Sequence, residues 1–223
     1  MTERWIGYFT KDTRRYHSLL ENAVDHWNYN DPLYFGIKKL IQPPARILDV
    51  GCGLGYSDIY LQKCGYEVVG IDNDANIMEK ARKNAKYFRS NVKFEQADAF
   101  DLSKYYGKFD LVYSVGVVEH FDRKTTIVLL KEQAKCAKYV IAVIPTKFTR
   151  YSGEITDERI YTISQLRGIF KYAGLEIMGK FGYGNVVSPF HNWVHRFLPH
   201  GLYRILQNNF SYAMGIGCIG KKK

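Results

Sequence analysis

The chain has 223 residues, 46% hydrophobic and 24% charged, a balance that supports a packed core and excludes a disordered or fibrous protein. No apolar run approaches the roughly 18 residues a membrane-spanning helix needs, and the charged start MTERWIGYFTKDTRR lacks the apolar block of a secretory leader, so a cytoplasmic location is expected. The net charge of +10 sits mostly in residues 146–223, which hold 11 Lys or Arg against 4 Asp or Glu, and such a basic third suits an acidic substrate, RNA or an anionic membrane surface without choosing among them.

In chain order, residues 1–44 read as a helical N-terminal cover rich in aromatics: Trp5, Tyr8, Phe9, Tyr16, Trp27, Tyr29, Tyr34 and Phe35. From residue 45 short apolar runs alternate with helical stretches, the pattern of a parallel sheet covered on both faces. The strands are expected at 46–51, 67–72, 92–98, 109–116 and 139–145. Ile77, Met78, Ala81 and Ala85 give the apolar face of a helix that follows Asp74. Asp122 caps the next, whose expected buried stripe is Ile127, Leu130, Ala134 and Ala137. Thr162 and Gln165 form a capping box ahead of Leu166, Ile169, Phe170 and Ala173, and Gly174 ends that helix. Strands follow at 175–182 and 212–221, separated by an inserted, lid-like segment at 183–211. The core at 45–182, the cover, the insert and a closing strand with a basic tail at 212–223 together make one domain over 1–223. Cys52, Cys64, Cys136 and Cys218 lie far apart, which suggests reduced thiols and neither a disulfide framework nor a zinc site.

The stretch ILDVGCGLGYSDIYL carries the chemistry: a buried strand ends in Gly51, Gly53 and Gly55 and runs into a helix. Glycines let the backbone turn and approach a ligand closely, and a helix N-terminus favours a polar or anionic group. The dinucleotide fingerprint G-x-G-x-x-G fails, because its third glycine falls on Tyr56.

G-x-G-x-G after ILDV, with Asp72 ending the next strand, resembles the class I S-adenosylmethionine-dependent methyltransferases. VVGIDND, FEQADAFDLS and FDLVYSVGVVEHF match that family's later elements in order, over roughly residues 40–182. The resemblance implies a Rossmann-like, three-layer α/β sandwich: a seven-stranded, mostly parallel sheet with an antiparallel last strand. It implies S-adenosyl-L-methionine as cofactor and S-adenosyl-L-homocysteine as product. By the same resemblance Asp72 accepts from the ribose hydroxyls, with Asn73 beside the adenine. Asp98 and the Ala99 amide meet the adenine edge, and Phe100 packs on the base. Gly51, Gly53 and Asp49 face the methionine part, lined also by the backbone of Ser114 and Val115.

Transfer of an activated methyl needs an in-line acceptor and exclusion of water. A hydroxyl acceptor also needs a base, for which His120, beside Glu119, is the candidate. His191, Trp193 and His195 come next, without acidic or thiol partners that would suggest a metal. Phe197, Leu202, Tyr203 and Leu206 suit a lid, a core or a peripheral membrane contact. The expected acceptor is a small, sugar-linked or lipid-linked molecule. The place after the fourth strand reads SVGVVEH, unlike the Asn/Asp-Pro-Pro signature of DNA amino-methylating relatives. The alternatives are RNA methylation, a non-catalytic cofactor-binding partner or regulatory subunit, and other chemistry such as a nicotinamide-dependent step on the same scaffold.

Overall fold

The computed structural model describes residues 17–149, 159–184, 186 and 196–223. Among the described residues two helices, α1 (Leu19–Tyr29) and α2 (Asp31–Leu40), precede the sheet. Then follow β1 (Arg46–Val50), α3 (Tyr56–Lys63), β2 (Glu67–Asp72), α4 (Ala75–Tyr87), β3 (Lys93–Gln96), β4 (Phe109–Val115), α5 (Arg123–Cys136) and β5 (Ala137–Pro145). The described chain closes with α6 (Ile163–Tyr172), β6 (Leu175–Tyr183), α7 (His200–Phe210) and β7 (Gly215–Lys222).

The seven strands lie in the order β3-β2-β1-β4-β5-β7-β6, with β7 antiparallel to both neighbours and the other pairings parallel. This is the expected α/β sandwich with its reversed last strand. The order changes direction between β1 and β4, and open α/β sheets bind ligands at such a switch point, beyond the strands' C-terminal ends.

The alternation of side chains along each strand sorts the core into two layers. Ile47, Leu111, Tyr113 and Ile141 point to the face covered by α2 and α3, where Leu33, Tyr34, Ile37 and Leu61 meet them. Leu48, Val50, Ile71 and Val112 point to the opposite face, packing with Leu102 and Cys136. On that opposite face α6 and α5 bury Leu166, Ile169, Phe170, Leu130 and Ala134 against β5 and β7.

The expected caps are all present. The Asp74 carboxylate accepts from the Asn76 and Ile77 amides, that of Asp122 from Lys124 and Thr125, and Thr162 and Gln165 close their box. Two expectations need correction. The buried residues of α5 are Thr126, Leu129, Leu130, Glu132, Gln133, Ala134 and Cys136, whereas Ile127 is half-buried and Ala137 already belongs to β5. The closing strand starts at Gly215 and takes in Lys221 and Lys222, so most of the supposed basic tail is paired backbone.

No described helix is long and apolar enough to cross a membrane. The described part of the 183–211 insert is mainly α7, which lies along β6, buries Tyr203 and leaves Leu202 and Ile205 exposed, with Phe197 exposed ahead of it. His191, Trp193 and His195 lie outside the described residues, as do Trp5, Tyr8, Phe9 and Tyr16.

Candidate active site

The chain leaves β1 through a loop in which Gly51, Gly53 and Gly55 have φ of +80°, +53° and +75°, the left-handed region that favours glycine. The Gly51 and Cys52 amides donate to the Ile71 carbonyl at 2.8 and 2.9 Å, folding the loop over the end of β2. A Cβ on Gly51 would stand 2.4 Å from Val117 Cγ2, and one on Gly55 would stand 2.3 Å from the Phe94 ring. Packing therefore requires these glycines before any ligand is considered. Two side chains brace the loop from outside: Asn84 Nδ2 of α4 donates to the Leu54 carbonyl at 2.9 Å, and Trp27 Nε1 of α1 donates to the Tyr56 carbonyl at 2.7 Å.

Asp72 stands at the end of β2, next to this loop. One of its oxygens accepts from the Gly53 amide at 3.3 Å and the other from the Asp74 amide at 3.1 Å. Burial raises the pKa of its carboxyl, opposed by these amides. Asn73 is exposed, and its carbonyl accepts from Gln96 Nε2 at 3.0 Å. Beyond β3, Asp98 is exposed and turns one oxygen back to its own loop, accepting from the Phe100 amide at 2.9 Å. Ala99 is half-buried, whereas Phe100 is 42% exposed and meets Phe121 edge-to-face at 5.2 Å between centroids. Asp72, Asp98 and Phe100 thus stand at the C-terminal ends of β2 and β3.

Beneath the loop the chemistry differs. Asp49 lies on the face of β1 that α3 covers, beside Tyr113 in the parallel register with β4. Asp58, in the first turn of α3, comes up against it. Asp49 is 4% exposed and Asp58 0%, yet Asp49 Oδ1, both Asp58 oxygens and the Tyr113 hydroxyl make no well-formed hydrogen bond. Burial pushes the Asp49 carboxyl well above its ordinary range, and the neighbouring Asp58 charge pushes it further. Burial likewise raises Asp58 to about 7 and lifts the Tyr113 phenol. Ser57, the residue before Asp58, joins this layer to the N-terminal helices through Tyr34 Oη at 3.0 Å and His26 Nε2 at 3.1 Å. Packing around the His26 imidazole lowers its pKa to about 4.

At the end of β4 the Ser114 side chain is buried and points away from the loop, where Gln133 Nε2 of α5 donates to it at 3.4 Å. Only the backbone of Ser114 and the half-buried Val115 remain to face a ligand. Glu119 and His120 follow in a short 3-10 turn, Val118–His120, with Glu119 buried and His120 half-buried. Arg159 holds that turn: its amide donates to the Glu119 carbonyl at 2.9 Å and its Nη1 to the His120 carbonyl at 3.0 Å. Among the described residues no group of three His, Cys, Asp or Glu side chains could hold a metal ion.

Sequence reasoning placed Asp49 beside the glycine loop but missed Asp58, Tyr113, Tyr34 and His26. One signal was available for Asp58, an acid in an apolar helix (YSDIYL) with no Lys or Arg three or four residues away. The others come together only through tertiary packing.

Residues 47–139 match the methyltransferase domain family. Phosphoethanolamine N-methyltransferase 1 of Arabidopsis thaliana is 36% identical over 93 residues, which are 40% of this chain and 18% of that protein. Ribosomal protein L11 methyltransferase of Thermosipho africanus is 37% identical over 84 residues, 37% of this chain and 32% of that protein. The chain thus spans less than a third of the length of either relative. Among solved structures, magnesium protoporphyrin IX methyltransferase from Synechocystis PCC 6803 with bound SAH superposes with a TM-score of 0.69, covering 100% of this chain and 98% of that one at 16% identity. That likeness is one of fold.

Proposed function

Residues 47–139 match the methyltransferase domain family, and we propose that this chain is a class I S-adenosylmethionine-dependent methyltransferase that transfers the methyl group of that cofactor to a small-molecule, sugar-linked or lipid-linked acceptor. The observation that carries the reading is a glycine loop with left-handed backbone at three positions, flanked by carboxylates at the ends of β1 and β2. The donors present fit the cofactor. Asp72, its orientation fixed by two backbone amides, keeps lone pairs for the ribose hydroxyls, a charge-assisted contact. Asp98 uses one oxygen for its own loop and has the other for the adenine amine, with the Ala99 amide next to it. The exposed ring of Phe100, steadied by Phe121, offers an aromatic face to the base. Asn73 stands beside it. Gly51, Gly53, Asp49 and the backbone of Ser114 and Val115 remain for the methionine end.

When bound, the cofactor supplies a methyl group already activated by its sulfonium. The protein's work is to hold the acceptor in line and keep water out. His120, whose backbone Arg159 fixes at the end of β4, is the residue proposed to take a proton from a hydroxyl acceptor, and an amine acceptor would need it less. The identity with a phosphoethanolamine methyltransferase supports a small acceptor such as a phosphorylated amine, and the basic final third suits an acidic one.

Calorimetric titration with S-adenosylmethionine, S-adenosylhomocysteine and a nicotinamide dinucleotide tests the cofactor assignment. Binding of the first two at micromolar levels with no response to the dinucleotide is expected, and binding of the dinucleotide alone would overturn the reading. With acceptors then screened by methyl transfer, His120→Gln should lower kcat on a hydroxyl acceptor by about 10²-fold or more and spare cofactor affinity.

A further inference from the structure

Asp49 and Asp58 form a buried carboxyl pair that the proposed transfer chemistry does not use. Every element packed around it adds an acid or a neutral group: Tyr113 from β4, Tyr34 from α2, Ser57 from α3, Cys52 from the loop and Asp72 from β2, with His26 of α1 reached only through Ser57. Among the described residues neither carboxyl has a Lys or Arg partner. Two carboxylates this close in a low-dielectric interior cannot both stay ionised without a cation, so one proton is retained between them. Three of their four oxygens are sealed from solvent and lack a well-formed hydrogen bond. That arrangement awaits a positively charged group, and the site bordering it is the one assigned above to the methionine end of the cofactor.

We propose that Asp49 and Asp58 share a proton in the ligand-free protein and release it when the cofactor's ammonium group settles beside Asp49, Asp58 being the positioning residue that sets how tightly the proton is held. One carboxyl O–H bond breaks, the proton passes to solvent, and the ammonium replaces it as counter-charge; no electrons move. The inference rests on the cofactor reading and adds proton linkage to it. Cofactor affinity then falls as pH is lowered below about 7, by up to tenfold per pH unit for one linked proton.

Calorimetry at about pH 7, in two buffers of different protonation enthalpy, counts the protons released by the full-length protein. S-adenosylmethionine and S-adenosylhomocysteine should each release about half to one proton, while methylthioadenosine, which lacks the ammonium, should release none. Asp58→Asn should at least halve the release and flatten the pH dependence. Cofactor binding without proton release, equal release by methylthioadenosine, or unchanged release in Asp58→Asn would overturn the proton-sharing pair and leave the cofactor reading standing. Failure of both adenosyl ligands to bind would overturn the cofactor reading and this inference with it.

Discussion

The two ends of the candidate site satisfy their carboxylates in opposite ways. At the β2–β3 end, the half-buried Asp72 is held by the Gly53 and Asp74 amides and the exposed Asp98 by the Phe100 amide of its own loop. Under the glycine loop, Asp49 and Asp58 are buried against each other and meet mainly hydroxyls, a thiol and more acid. The first end is preformed on folding, because aligned amide donors orient each carboxylate and still leave lone pairs for a ligand. The second is completed by a charge from outside, because an interior that seals two acids together disfavours the ionised form of each. The candidate site thus joins a preformed grip to a charge-hungry one.

This contrast can be broken in order of expected effect. Gly51→Ala forces a side chain into a left-handed backbone and onto Val117, and should cost about 3 kcal/mol. That loss appears as a thermal midpoint lower by roughly 6–12 °C, with or without ligand, and an unchanged midpoint would remove the claim that packing fixes the loop. Asp72→Ala should weaken S-adenosylmethionine binding by about 10–100-fold, since a charge-assisted contact contributes about 1.5–3 kcal/mol. Equal affinity in a titration would separate Asp72 from the cofactor.

Trp27→Phe deletes the indole N–H that holds the Tyr56 carbonyl and should lower stability by about 1 kcal/mol in urea unfolding. No change would mean that the N-terminal cover does not brace the loop.

The smallest net effect is the pH dependence of the parent chain, in which two contributions of opposing sign largely cancel. Asp58 has a folded pKa of about 7, above its unfolded value, so its contribution is fully present at low pH and is lost as pH rises from about 4 to about 7. His26 is lowered to about 4, so its half-buried neutral ring opposes folding as pH falls from about 6.5 towards 4. Relative to the parent chain, Asp58→Asn should gain stability as pH rises through its window, and His26→Asn should gain as pH falls through its own. Parallel melting curves across pH 4 to 7 would contradict both assignments.

Much of the fold was legible because it is written in short-range physics. The apolar runs over β1, β2 and β4, the Asp74 and Asp122 caps and the Thr162–Gln165 box involve neighbours in sequence, and each appears where the pattern put it. The α5 stripe was misread because a helical three-and-four-residue spacing continued into β5, where Ala137 pairs with Phe109. Phe100, expected to pack on the base, is exposed in the structure because its loop lies beyond the end of β3.

By itself the sequence determined the alternation of strands and helices, the glycine turn at 51–55 and the acids that end β2 and follow β3, since these depend on backbone conformation and local hydrogen bonding. Tertiary structure alone decided that Asp49 meets Tyr113 across a parallel register and Asp58 from the helix above, with Tyr34 and His26 brought in from a separate pair of helices. Side chains from five elements distant in sequence share one interior, and the electrostatics of that interior follow from what surrounds each charge in space.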